Sequence, residues 1–319
     1  RSTGKSYPLD KRGMLSFAEK ERICEMEFAK GGRFWHLFTD GSSMEDIFLN
    51  EDDMKTGMIA LAMGRCIYQE IEIITFELMS NHLHLILRGD RGACLELFGY
   101  FKKKLARIFC KQDRCIDWKR FKADILEIPD LKALRNEIIY VNRNAFVADP
   151  RFTPFSYPWG GGWAYFSPVI NLLVTKSISE IGFEQARRIT HSRDFEEFKS
   201  LKFIGGTVFI PSFCNIGLGE RMFANARSYF MALTRNSEGM SLIAARLKDS
   251  IFLTDEELYT VAFKYGKEEF ECRSLILLTP EQRIKIAKEL YYKYNASHKQ
   301  IRRILKLDQS IISELFPQK

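Results

Sequence analysis

The hydrophobic positions change period repeatedly over the first half of the chain, and each change marks an element. RFWHLFTDG is an aromatic-rich run closed by Asp40 and Gly41, which predicts a strand and a turn. From Met44 to Cys66 the residues Ile47, Met54, Met58, Leu61 and Ala62 recur at helical spacing. IEIITFELMS and HLHLILRG are apolar runs separated by Ser80-Asn81, the short polar break expected between adjacent strands. Gly92 to Lys111 predicts an amphipathic helix with Leu95, Phe98, Phe101, Leu105 and Ile108 on one side. RFKADILEI reads as a further strand, and LKALRNEIIYVNRN as a helix that Asp130 can cap.

Strand, helix, strand, strand, helix, strand, helix with short links suits an α+β domain, an antiparallel sheet of ferredoxin-like character with helices on one face. The Pro-, Gly- and aromatic-rich segment DPRFTPFSYPWGGGWAYFSP then breaks the pattern, and the domain is expected to span 33–168 after a polar arm over 1–32. Residues 169–272 read mainly as helices, including GERMFANARSYFMALTR and EGMSLIAARLKD, with few strand signals beyond TVFI. Three helix starts follow closely in 273–319: Thr279 with Pro280 and Gln282, Ser297 with Gln300, and Asp308. Three short helices with tight links predict an all-α end of helix-turn-helix type; a bracing bundle or a homodimer contact fits the same pattern.

Composition changes this picture little. At 319 residues the chain has room for more than one core, and 46% hydrophobic with 28% charged residues argues against disorder. No run approaches the roughly 20 apolar residues of a membrane span, and the first residues lack a signal-peptide core, so a cytoplasmic protein without a membrane partner is expected. The seven scattered cysteines, with no CxxC pair, read as reduced packing residues. A net charge of +7 is modestly suited to a polyanion. No GxxxxGK[ST] phosphate loop is present.

The candidate chemistry lies in MSNHLHLIL. In a strand alternate side chains share a face, so His82 and His84 project together, about 7 Å apart, and can ligate one divalent metal. The same pair fits two half-exposed histidines on a solvated sheet face. Tyr140 and Asn144 are four residues apart, one turn along a helix face. If that helix packs over the histidines, Asn144 completes a three-ligand site with Tyr140 beside it, and open positions there could take a scissile phosphate with Mg²⁺ or Mn²⁺.

MSNHLHLIL resembles the MPNHVHLLL pattern of the REP-associated tyrosine transposases and their insertion-sequence relatives in the HUH group. YVNRNAFVAD resembles their YxxxNP segment, and YPWGGGWAYF their following tyrosine-tryptophan element. The likeness covers about residues 33–168, with Ser80 and Ala145 standing where the family commonly has proline. It implies that His82 and His84 bind the metal, that Asn144 is the third ligand and that Tyr140 is the nucleophile. The activity implied is cutting and rejoining of single-stranded DNA near a hairpin through a 5′-phosphotyrosine. A shifted pairing, with Asn142 as ligand, would put Ile138 at the nucleophile position and imply a dead enzyme.

Lys102, Lys103, Lys104, Arg107 and Lys111 are candidate DNA-backbone contacts, or simply the wet face of a helix. Lys299, Arg302 and Arg303 are candidates in the carboxy-terminal module, and Trp35, Trp159, Trp163 and Tyr157 could stack on bases or fill the core. The alternatives to a transposase-like nuclease are a catalytically inactive, domesticated DNA-binding protein derived from one, and an unrelated metal-binding protein.

Overall fold

The computed structural model describes residues 16–41, 44–148, 152–153, 155–235, 243–244, 246–247 and 253–316. By its contacts the chain divides into two compact units, one of 1–146 with 151–234, the other of 147–150 with 235–319.

The first unit is built on four antiparallel strands, β1 (Phe34–Thr39), β2 (Glu72–Leu78), β3 (Leu83–Arg88) and β4 (Ala123–Ile128), in the order β2-β3-β1-β4. The helices α1 (Phe17–Lys30), α2 (Glu51–Ile67), α3 (Arg91–Cys110) and α4 (Leu131–Ala148) frame them. In the register, Thr75 and Glu77 of β2, His84 of β3, and His36 and Phe38 of β1 share one face. The other face carries Leu83, Leu85 and Leu87.

Helices cover both faces, not one as expected. Gly57 lets α2 rest on Leu78, and Gly64 brings α2 against Leu97 and Tyr100 of α3, so these two helices lie together over the leucine face. On the histidine face Phe28 of α1 stacks on Phe34 at 5.2 Å, and Arg135 of α4 pairs with Glu21 of α1 at 2.8 Å. Two-sided burial explains why β1 is buried at every position, instead of alternating.

Local caps fix the helix starts. Asp130 accepts a hydrogen bond from the Ala133 amide at 2.7 Å, as the sequence suggests. Helix α2 begins at Glu51, later than its apolar spacing predicts, because Asn50 caps it. Asp53 in its first turn accepts from the Leu49 amide and pairs with Arg114 at 2.7 Å. The expected polar arm contains α1, opened by a capping box between Ser16 and Glu19; the residues before it lie outside the described set.

The glycine-rich segment after α4 closes the exposed edge of β2. The Leu78 amide donates to the Trp159 carbonyl at 2.9 Å, and the Gly161 amide to the Phe76 carbonyl at 2.8 Å. Tyr157 and Tyr165 donate their hydroxyls to the Leu78 and Ile74 carbonyls at 2.6 and 2.8 Å. An unpaired edge would otherwise template aggregation. Close approach requires glycine here: a Cβ on Gly160 would meet Glu77 Oε2 at 2.6 Å, and one on Gly161 would strike Thr75.

Residues beyond 168 belong to the same compact unit up to Thr234. They include a small sheet, β5 (Lys176–Ser177), β6 (Lys202–Ile204) and β7 (Thr207–Val208), where helices were mainly expected. Four helices accompany it: α5 (Ile178–Ile181), α6 (Phe183–Thr190), α7 (Ile216–Arg221) and α8 (Ala226–Arg235). GERMFANARSYFMALTR is thus split between α7 and α8, with Asn225 accepting from the Ser228 amide at the second start. Most of EGMSLIAARLKD lies outside the described residues. Four of the cysteines are buried; Cys110 and Cys115 are exposed and Cys272 is half-buried, so packing does not account for all seven.

The second unit packs helices Asp255–Phe270, Pro280–Tyr292, His298–Leu305 and Gln309–Leu315 around Leu258, Ile286, Leu290, Ile301, Leu305 and Ile312. Thr279 with Gln282 and Ser297 with Gln300 form the expected capping boxes. Asp308 stands at the start of the last helix but makes no side-chain cap. No helix among the described residues is long and apolar enough to cross a membrane.

Gly160→Ala and Gly161→Ala should each cost about 1–3 kcal/mol by lifting the segment from the β2 edge. Gly99→Ala, on an exposed turn of α3 with open space around it, should stabilise by about 0.5–1 kcal/mol. Urea unfolding checks this; equal effects at all three glycines would refute the edge-closure account.

Candidate metal and nucleophile site

The site is assembled where β3 meets α4. Asn81 and His82 lie just before β3, and His84 is its second residue. Alternation along the chain brings the two imidazoles to the same side, with ring centres 5.3 Å apart. His84 is buried and His82 half-buried. Helix α4 crosses this face, and the Tyr140 ring stands 5.7 Å from the His84 ring. Asn144 follows one turn later on α4 and is also buried.

Two residues that sequence reasoning missed hold His84. Glu137 lies one turn before Tyr140, and its carboxylate is 2.7 Å from His36 Nδ1. His36 Nε2 is in turn 3.0 Å from His84 Nδ1. All three are essentially solvent-free, at 1%, 0% and 1% exposure, so bulk water does not compete for these hydrogen bonds. A carboxylate only accepts, so His36 Nδ1 carries the proton, and in the neutral His36 ring Nε2 is then the acceptor. His84 Nδ1 must then donate, which leaves the His84 lone pair on Nε2.

His82 reaches the same state by another route. The Asn81 amide group donates to the Gly41 and Met44 carbonyls at 2.9 and 3.1 Å, which turns its Oδ1 toward His82 Nδ1 at 2.7 Å. That oxygen only accepts, so His82 is protonated on Nδ1 and its lone pair also lies on Nε2. Two imidazoles whose outer hydrogen bonds leave Nε2 basic are chemically fit to hold a metal ion.

Asn142, the alternative ligand of the shifted pairing, is otherwise engaged. Its Oδ1 accepts from the Thr75 hydroxyl, and its Nδ2 donates to Tyr229 Oη at 2.9 Å. Ile138 is fully buried in the core. Among the described residues no group of three or more histidine, cysteine or carboxylate side chains is placed to hold a metal. A site on His82 and His84 therefore needs a different third donor.

The proposed DNA contacts divide. Lys102 donates to the Phe121 carbonyl at 2.6 Å, and burial first, then Lys122, lowers its pKa, so it serves the fold. Lys103 and Arg107 are exposed on α3 and Lys111 just past its end, and Lys104 is half-buried beside the His191 carbonyl. Helix α3 lies over the leucine face, so these side chains do not join the histidines and Tyr140. Arg303 is held by Asp255 through contacts of 2.7 and 3.0 Å, whereas Lys299 and Arg302 are exposed. Trp35, Trp159 and Tyr157 are core residues, and Trp163 is half-buried.

His36 had one sequence signal, a histidine inside an apolar strand two residues before Phe38. Glu137 had another, the one carboxylate of LKALRNEIIYVNRN, three residues before Tyr140. Nothing local linked two residues 101 positions apart.

His36→Phe should move His84 from the Nδ1–H toward the Nε2–H tautomer. His36→Gln should preserve Nδ1–H, because the amide can donate to Glu137 and accept from His84. Long-range ¹H–¹⁵N NMR of ¹⁵N-histidine-labelled protein reads the tautomer directly; an Nε2–H His84 in the wild type would refute the relay. No family model matches the chain, and no curated protein or solved structure is significantly similar to it.

Proposed function

We propose that the protein is a transposase-like DNA endonuclease and strand transferase that cuts single-stranded DNA with Tyr140. The observation that carries this reading is the gathering of two Nε2-basic imidazoles and one phenol on a single sheet face. The strand order β2-β3-β1-β4, with α2 and α3 on the leucine face and α4 on the histidine face, supports a ferredoxin-like HUH domain.

His82 and His84 would hold Mg²⁺ or Mn²⁺, with the Asn144 carboxamide as third protein ligand. When bound, such an ion supplies Lewis-acid polarisation of a phosphate oxygen. Tyr140 Oη forms a bond to phosphorus as the bond to the 3′-oxygen breaks. The phenol proton leaves, the 3′-oxygen departs as a hydroxyl, and a 5′-phosphotyrosine remains. The adduct retains the phosphodiester energy, so attack by a 3′-hydroxyl rejoins a strand without ATP. In the second unit, helices His298–Leu305 and Gln309–Leu315 are joined by three residues with Lys306 left-handed, which supports a helix-turn-helix DNA contact. Gln309 there bonds to Ser313, which leaves few free base-reading groups.

One observation favours the second reading, an inactive DNA-binding descendant: the Tyr140 side chain is only 5% exposed. So little open surface restricts the approach of a scissile phosphate to the phenol. The two readings separate on covalent capture. Labelled single-stranded hairpin DNA from the gene's own flanks, with Mn²⁺, should yield an adduct that Tyr140→Phe reduces at least about 10³-fold. DNA binding without any adduct would leave only the non-catalytic reading.

Metal binding is read separately by Mn²⁺ paramagnetic resonance. His82→Ala should abolish it, His36→Phe should weaken it about 10–100-fold, and His36→Gln should stay near wild type. Unchanged Mn²⁺ affinity in His82→Ala would refute the metal assignment.

A further inference from the structure

The first unit carries a second charged feature, on the side of the sheet covered by α2 and α3. There we infer that the cleft between the end of α3 and α6 binds the phosphodiester backbone of a nucleic acid. It is an open cleft of about 510 Å³, lined by Lys111, Arg187, Arg188, His191 and Arg193, with Glu184 its one carboxylate. Lys104 borders it, its Nζ 3.4 Å from the His191 carbonyl, and Arg107 lies beside Lys104.

Three observations carry the inference. Arg107, Lys111, Arg187, Arg188 and Arg193 are all exposed. Neither they nor Lys104 forms an ion pair among the described residues. The charges also oppose one another. Burial first, and then Arg107 and Lys111, push the Lys104 ammonium below the ordinary lysine range. Burial, then Lys104 and Lys111, lower the His191 imidazole. Cations gathered against a single carboxylate, Glu184, raise the energy of the folded chain, and a polyanion relieves that cost.

The shape of the cleft selects the kind of anion. A free phosphate needs a closed cage of donors, whereas these cations line an open trough from α3 across α6. Guanidinium forks match phosphodiester oxygens, and several spaced phosphates can each meet one cation. The choice of nucleic acid over another polyanion rests on the DNA reading above; no part of it rests on the tyrosine chemistry.

The test uses the full chain carrying Tyr140→Phe, so that binding is measured without covalent capture. Affinity for a labelled hairpin oligonucleotide is followed by anisotropy over a range of KCl. Arg187→Ser/Arg188→Ser/Arg193→Ser should flatten the slope of log affinity against log salt by about 2–3, since each lost phosphate contact contributes about 0.7–0.9. A control of equal charge loss at exposed sites, Lys119→Ser/Arg120→Ser/Lys122→Ser, should change it by less than one contact. Equal effects of the two triple variants, or no effect of the first, would overturn the inference. Displacement of the oligonucleotide by inorganic phosphate at constant ionic strength would mark a small-anion site and overturn it too. If the slope flattens as expected but no adduct ever forms, the cleft stands and the nuclease reading falls.

Discussion

A carboxylate withdrawn from water must be met by hydrogen bonds, and in this protein that demand organises the site. Glu137 is buried under α4 and has His36 as its hydrogen-bonding neighbour in the sheet. An uncompensated charge at such a position costs several kcal/mol, so the helix cannot slide or turn without a large penalty. Glu137, Tyr140 and Asn144 fall on one stripe of α4, at spacings of three and four. Seating Glu137 therefore also aims Tyr140 at the histidines. Asn142, bonded to Thr75 and Tyr229, holds the helix from its adjoining side. With one anchor on each flank, the position of the phenol follows from hydrogen bonds made by other residues.

The same constraint reaches into the strand. His36 transmits the acceptor character of Glu137 to His84, while Asn81 does the equivalent for His82 from the loop before β3. Asn81 can do so because two backbone carbonyls occupy its donors. Two imidazoles in different surroundings, one buried and one half-exposed, thus reach the same tautomer. Free imidazoles would exchange tautomers in water; here the Asn81 carboxamide oxygen holds His82 to one, and the neutral His36 ring, set by Glu137, holds His84.

Strongly periodic elements were legible in the sequence because their signals are local. The strands around Ser80-Asn81, helix α3, the Asp130 cap and the boxes at Thr279 and Ser297 each depend on residues a few positions apart. Elements set by distant packing were not. Helix α1 has a capping box at Ser16 and Glu19, yet it buries little beyond Cys24, so its apolar stripe is too narrow to read. The start of α2 was misplaced because Ile47 belongs to a loop pinned by Arg114, which donates to its carbonyl from 67 residues away. The pairing of His82 with His84 is visible as a two-residue period; the partners that give those rings their chemistry come from β1 and α4.

The glycine-rich segment shows how far this non-locality extends. Its sequence, YPWGGGWAYF, reads as a break between domains, yet its backbone bonds directly to β2. Cys214 and Asn215 add to the same edge, with the Asn215 amide donating to the Ile73 carbonyl at 2.7 Å. Tyr165 stacks on Tyr229, and Tyr229 in turn accepts from Asn142 of α4. A break in hydrophobic period therefore does not end the domain: the strand that it covers would be unsatisfied without it, and α4 would lose one of its two anchors. The residues that follow Pro168 are part of what holds Tyr140 in place, and removing them should be expected to act on the site through the Tyr229–Asn142 contact before it acts on the sheet.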